Sequence, residues 1–457
     1  PQIRKGGLFL IALFGGCQLK ADPALPVVKR VQADSLAIQQ VVYNDRVAPF
    51  NTLARDFVQK IYGRPSFHRI TPEQVVSSWM LYPEEWNRTP IIRIKNQELR
   101  TALGLKEEYA SLNHLFDGTQ YKLQPLWQRE QGNRSKLAQA IQETDEKVGL
   151  ILMLRQGTLI RPLPPDVTPL STQKVNAELW YNRIPFSKIL FMVNLTLGFA
   201  AFGLFMFRML TGRKEKAVSR RVWGTALCLT TLFHATGYAL RGYIRGGFPL
   251  SNGYETMQFV ALAVLLTACL LQRRFPFTRP FGFLLSGFTL LVAYLGEMNP
   301  QITPLMPVLA SPWLSWHVSL IMISYGLFAF TFLNGILALC LIGKQKNTAS
   351  PITGEQIEQL TLLSRLLLYP GTFLLGIGIV LGAVWANVSW GSYWSWDPKE
   401  VWALAAFIIY GISFHRNSLP CFQRQWLFHG YMIFAFAVVL MTYFGVNHLL
   451  GGVHSYA

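Results

Sequence analysis

The stretch Trp390-Gly391-Ser392-Tyr393-Trp394-Ser395-Trp396-Asp397-Pro398-Lys399-Glu400 sets three tryptophans, one tyrosine and one aspartate within eight positions, between two long apolar segments. Trp385 and Trp402 flank it. Indoles favour the headgroup level of a bilayer, and an interfacial belt needs only one or two rings at a helix end. Glycine and serine spacers holding several rings on one short loop add nothing to a belt. They suit a shelf for a large flat ligand. The last four residues add a start signal: a capping aspartate, proline at the first helical position and glutamate at the third predict a new helix from this point.

The composition around this loop agrees with a membrane setting. Of 457 residues, 51% are hydrophobic and only 14% charged, which is too apolar for a water-soluble chain of this length. From Phe186 onward eight apolar segments are predicted, at about 186–208, 222–240, 255–272, 280–297, 314–342, 367–389, 400–415 and 426–448. The fold class is therefore mainly α, a polytopic bundle of about eight transmembrane helices over residues 186–457, with the tryptophan loop at 385–402. Basic residues gather in alternate connections: Arg208 to Arg221, Arg273 to Arg279, Lys344 to Arg365, and Arg416 with Arg424. The opposite connections hold Arg241, Arg245 and Lys399. The positive-inside rule makes the basic face cytoplasmic, so the tryptophan loop and the C-terminus face outward. These loops account for much of the net charge of +18, and no basic cluster interleaved with aromatics calls for nucleic acid.

Residues 22–185 have no segment long and apolar enough to span, and they read as an external, mostly helical soluble domain with a few short strands. Asn51-Thr52 is expected to open a helix closed by Gly63 and Pro65. Thr71-Pro72-Glu73-Gln74 is a second capping box. Ile92 and Ile94 suggest a short strand and Leu137 to Leu154 a further helix. The proline-rich run 161–169 reads as a stiff connector. His68 and His114 read as surface or locally bonded residues. For the apolar segment within residues 1–21, two readings stand: a signal-peptide core, with Cys17 as a lipid-anchor site, or the end of a truncated transmembrane helix. The five cysteines lie far apart in sequence and form no CxxC or metal-spaced pair, so neither a thiol relay nor thioether attachment to this chain is expected.

The tryptophan stretch resembles the WWD signature of haem-handling membrane proteins, and residues 186–457 are most similar to CcsA of System II cytochrome c biogenesis. The resemblance extends to Phe-Pro-Leu-Ser-Asn-Gly-Tyr-Glu at 248–255, Trp-Leu-Ser-Trp-His at 313–317 and Phe-Gly-Val-Asn-His-Leu-Leu-Gly-Gly-Val-His-Ser-Tyr at 444–456. It implies an inner-membrane holocytochrome c synthase of bacteria. Such a protein moves haem b outward and presents it over Trp390, Trp394, Trp396 and Asp397 to the CxxCH motif of apocytochrome c. The expected partners are a CcsB (ResB) portion, fused or separate, a thiol reductant and membrane lipid. A haem exporter that hands haem on without attaching it, and a haem-free structural partner, are the alternatives.

Orientation puts His317 and His454 on the side of the tryptophan loop. Together they can offer two neutral imidazoles to opposite faces of a haem iron, the role the resemblance also assigns. His415 ends the seventh segment at the other face and matches the family's intramembrane ligand, whose partner comes from CcsB. His429 could approach His415 from the eighth segment. His234 reads as packed and hydrogen-bonded, and His448 stays open. Arg241 and Arg245, one helical turn apart, either receive haem propionates or reach from the interface to water.

Overall fold

The structure, a computed structural model, describes residues 25–450 apart from 134, 214, 297, 305–310, 348–350 and 416–417. The expectations for residues 1–21 and for His454 lie outside the described residues, as does the His448 side chain. The chain divides into two units at Ser171/Thr172, with Asn44–Arg46 counted in the second.

The first unit contains α1 (Arg30–Ala37), α2 (Phe50–Tyr62), α3 (Pro72–Leu81), α4 (Pro83–Arg88), α5 (Gln97–Ala102), α6 (Leu123–Glu130) and α7 (Lys136–Arg155). Its short strands are β1 (Gln40–Tyr43), β2 (Arg46–Pro49), β3 (Ile92–Arg93), β4 (Tyr109–Ala110), β5 (Phe116–Asp117), β6 (Gln120–Tyr121) and β7 (Arg161–Pro162). The capping box forms at Thr71 as predicted, the Thr71 side chain and Gln74 bonding reciprocally. Gly63 closes α2 in the left-handed conformation, φ 82°. The start of α2 differs from expectation. It lies at Phe50 behind Pro49, and Asn51 hydrogen-bonds Glu73 instead of capping. The supposed connector differs too, because β7 pairs antiparallel with β1, Val41 opposite Pro162. Gln40 fixes that pairing by exchanging two side-chain bonds with the Leu170 backbone. A tryptophan pair sits in the mainly aliphatic core: Trp79 stacks on Trp86 at 5.8 Å, and each indole N–H is satisfied, by Asn87 Oδ1 and Pro26 O.

The second unit is a helix bundle: α8 (Thr172–Arg183), α9 (Phe186–Thr211), α10 (Ala217–Arg245), α11 (Gly253–Leu271), α12 (Thr278–Leu295), α13 (Pro312–Asn347), α14 (Pro351–Trp390), α15 (Pro398–Ile412) and α16 (Gln425–Leu440). All eight predicted segments are helices, and six of these are long and apolar enough to cross a membrane. The protein is a multi-pass membrane protein. The other two helices fall short: α15 has 15 residues, and α10 carries Thr230, Thr231, His234 and Thr236 in its middle. The predicted loop before the sixth segment is also helix, since α14 starts at Pro351 and continues through Pro370.

Helices that meet in lipid gain little from hydrophobicity alone, so close backbone approach through small residues holds them. The α9–α12 contact shows this. A Cβ on Gly198 would lie 3.0 Å from the Leu284 backbone nitrogen, and one on Gly287 2.9 Å from that of Leu195. Asn194 bonds Ser286 across the same interface at 3.1 Å. The α13–α14 contact repeats the device with a register: Gly371 receives Phe328, Gly378 receives Ile321 and Gly382 receives His317.

Candidate functional site at the tryptophan-loop end

The antiparallel pairing of α13 with α14 puts the start of α13, with Trp313, Trp316 and His317, at the end where α14 runs into the tryptophan loop. Arg241, near the end of α10, bonds backbone carbonyls of Pro300 and Gln301 in the connection from α12 towards α13, so it shares that end.

His317 is held firmly. Its Nδ1 lies 2.6 Å from the carbonyl oxygen of Gly378, and since a carbonyl only accepts, Nδ1 carries the proton. In the neutral tautomer that this bond selects, the lone pair is on Nε2. A histidine with one nitrogen donating to a backbone carbonyl and the other presenting a lone pair is the usual state of a metal ligand. The imidazole turns its Cε1–Nδ1 edge to α14, where a Cβ on Gly382 would come within 2.5 Å of Cε1.

The loop is pinned by its cap. Asp397 Oδ1 accepts from Lys399 N at 2.9 Å, while Glu400 Oε2 accepts from Asp397 N at 3.2 Å and from Ser395 N at 2.9 Å. This is the predicted capping box, and Asp397 is buried within it. The same bonds hold Trp396 left-handed at φ 59°, with 74% of the residue exposed. A bulky residue in that conformation is strained and persists only where its surroundings over-determine it. Trp394 stands edge-on to Trp396 at 6.0 Å, and Trp390 edge-on to the buried Trp385 at 6.0 Å. Trp313, Trp316, Trp390 and Tyr393 are exposed.

Arg241 and Arg245 occupy a different environment. Glu255 Oε1 accepts from Arg241 Nε at 2.7 Å, and Oε2 accepts from Arg245 Nη1 at 2.8 Å and from both the backbone and the hydroxyl of Ser251. Arg241 also donates to Tyr181 and to the Pro300 and Gln301 carbonyls, and lies over the Tyr254 ring. The Arg241 and Glu255 side chains are each 1% exposed. Neither arginine reaches for water in this arrangement. Among the described residues, Arg245 Nη2 has no hydrogen-bond partner.

The remaining histidines separate. His415 is exposed in a 3-10 turn at the opposite end, its carbonyl accepting from Ser418 and Leu419. An apolar groove of about 790 Å³ lined by Tyr369, Phe373, Gly376, Val380, Phe407 and Phe414 runs between α14 and α15 up to its neighbour, with Tyr369 and Phe414 stacked at 5.0 Å. His429 does not turn to His415. It is fully buried, and its Nε2 bonds Thr361 Oγ1 at 2.9 Å. His234 is packed as expected, with Nε2 on Gln258 Oε1 at 3.0 Å, and His114 bonds the Leu103 carbonyl at 3.1 Å. The sequence reading missed Gly378, Gly382 and Glu255. The four-residue glycine spacing was a usable signal for the first two, and a glutamate at the start of an apolar segment was one for the third.

Residues 250–454 match the family described as Cytochrome C assembly protein. Protein NrfI of Wolinella succinogenes is 32% identical over 90% of this chain and 53% of its own length, so the chain spans about half of that relative. The cytochrome c biogenesis protein CcsA of Synechococcus sp. strain WH7803 is 33% identical over 57% of this chain and 94% of its own length, and that of Prochlorococcus marinus strain NATL2A is 32% identical over 57% and 93%. With relatives of this identity covered almost end to end, the chain belongs to the CcsA-type family of cytochrome c biogenesis proteins.

Proposed function

We propose that the protein matures c-type cytochromes by carrying haem b from the basic, cytoplasmic face of a bacterial inner membrane to the tryptophan-loop end. There it presents haem to the CxxCH motif of an apocytochrome c. The observation that carries this reading is the His317 imidazole, fixed by Gly378 and Gly382 at the end where exposed indoles and Tyr393 gather. Haem is the substrate. His317 supplies one axial nitrogen, His454 the other, and Trp390, Trp394 and Trp396 cover the macrocycle. At the opposite end His415 is the entry ligand, and the groove beside Phe414 is an apolar route for a flat ring. The second ligand there comes from the CcsB portion, since His429 is engaged by Thr361.

In thioether formation each cysteine S–H of the apocytochrome adds across one haem vinyl group, so no nucleophile of this chain is needed. Orientation and proximity are its contribution, and they can offset about 7–11 kcal/mol of barrier in well-aligned cases. A separate thiol reductant keeps the apocytochrome cysteines free. Arg241 serves this site by bracing the connection into α13, whereas Arg245, with its unbonded Nη2, is the arginine fitted to meet a propionate.

The test is co-expression with an apocytochrome in a host stripped of its own maturation system. Covalent cytochrome c supports synthase activity. Haem bound to the protein without attachment identifies a carrier, and a haem-free protein from haem-replete cells overturns the reading. Replacing His415 should empty the outer site, while replacing His317 should leave haem held inside. Full outer occupancy without His415 would leave a single-site protein loaded from outside.

A further inference from the structure

Cys228 and Cys269, distant in sequence, come together across the α10–α11 hairpin. Two crossed contacts fix the pair: Thr231 Oγ1 lies 3.3 Å from Cys269 Sγ, and Gln272 Nε2 lies 3.7 Å from Cys228 Sγ. Cys228 and Thr231 are three residues apart on α10, and Cys269 and Gln272 three apart on α11, so each pair shares a helix face. The two contacts set the cysteines on facing sides of the hairpin, about one helical turn apart in level. Gln272 also donates to the Cys269 carbonyl at 3.3 Å. The Gln272 side chain also reaches over Gly224 of α10, where an added Cβ would meet its Oε1 at 3.0 Å. Both cysteines are free thiols, Cys228 exposed and Cys269 half-buried. Arg220 and Arg221 precede the pair on α10 and Arg273 and Arg274 follow it, which puts it at the basic end, away from the tryptophan loop.

We propose that Cys228 and Cys269 are a redox-active dithiol that closes to an interhelical disulfide when met by a low-molecular-weight disulfide. The exposed Cys228 is the attacking group. Its thiolate displaces one thiolate from the oxidant, giving a mixed disulfide and, after protonation, one free thiol. Cys269 then attacks the Cys228 sulfur and releases the second thiol. The protein loses two electrons and two protons, and the oxidant is reduced to two thiols. In a reducing compartment the resting state is the dithiol. The α10–α11 hairpin is already tied at its far end by the ion pairs of Glu255 with Arg241 and Arg245. The disulfide would fasten its open end.

The purified full-length protein is incubated in glutathione buffers of increasing glutathione disulfide, quenched in acid, alkylated and digested for mass spectrometry. The expected result is a peptide joining Cys228 to Cys269, loss of two alkylatable thiols, and their return on treatment with dithiothreitol. Serine at either position should abolish the link and leave the other cysteine as a glutathione adduct. A wild-type protein that forms no 228–269 link at the most oxidising ratio, or that links either residue preferentially to Cys340 or Cys421, overturns the proposal. That measurement uses the unaltered chain, so a serine variant that fails to fold does not weaken it.

Discussion

Two clusters at one end of the membrane bundle are built on opposite principles. Around Glu255 every strong charge is buried and nearly every donor has an acceptor, so the cluster fastens α10, α11 and the connection beyond α12 into one piece. Around Trp396 the backbone is pinned but the rings are left in the open, one of them in a conformation that costs energy. Satisfied polar groups specify structure, whereas exposed apolar rings on a strained and well-braced loop await a partner. Family membership alone would have treated both clusters as signature residues.

The harshest way to break this contrast is Glu255→Ala, which strands two buried guanidinium groups. Removing one partner of a buried pair costs about 3–5 kcal/mol, so little folded protein should reach the membrane, and what does should melt far below wild type in detergent. A normal melting temperature would show that the Glu255 cluster is not structural. Gly382→Ala tests the other side without altering any tryptophan. Its methyl group would displace the His317 imidazole, and loss of ligand support should weaken haem binding by about 10–100-fold, at normal protein abundance. Added imidazole should restore His317→Ala better than Gly382→Ala, because only the former leaves the axial position empty.

Trp396→Gly sharpens the comparison further. Glycine relieves the left-handed strain, worth about 1–2 kcal/mol, so the variant should melt no lower than wild type while its cytochrome c yield falls. Equal loss of stability and yield would return Trp396 to a packing role. Asp397→Asn should have the smallest effect, since asparagine caps a helix about as well as aspartate. A severe maturation defect at normal abundance would show that the carboxylate itself meets haem or apocytochrome.

Much of this was legible before any coordinates. Eight apolar runs became eight helices because each is long enough to need burial or lipid. The Asp397 cap was readable because its three signals lie within four residues. Features set by contacts between distant segments were not. The glycines of α14 mean nothing until α13 lies against them, and Cys228 meets Cys269 only through the hairpin. The first turns of α14 looked like loop because Gln356, Glu358 and Arg365 are polar, yet Ile357, Leu360 and Leu363 on the same helix are buried in the core.

The glycine register has a consequence for how the outer end can be altered. Contacts step by four and then seven residues along α13, from His317 through Ile321 to Phe328, and by the same intervals in reverse along α14, from Gly382 through Gly378 to Gly371. Two rulers with matching notches slide only in whole notches. A slip of one turn, about 5.4 Å, would set Leu374 and Leu367, or Ala386 and Leu375, where small residues now admit His317, Ile321 and Phe328. The height of the His317 ring is thus graduated by the helix pair and not by the loop above it, so the tryptophan loop could be lengthened or exchanged to suit another partner while the nitrogen beneath stays at the same mark.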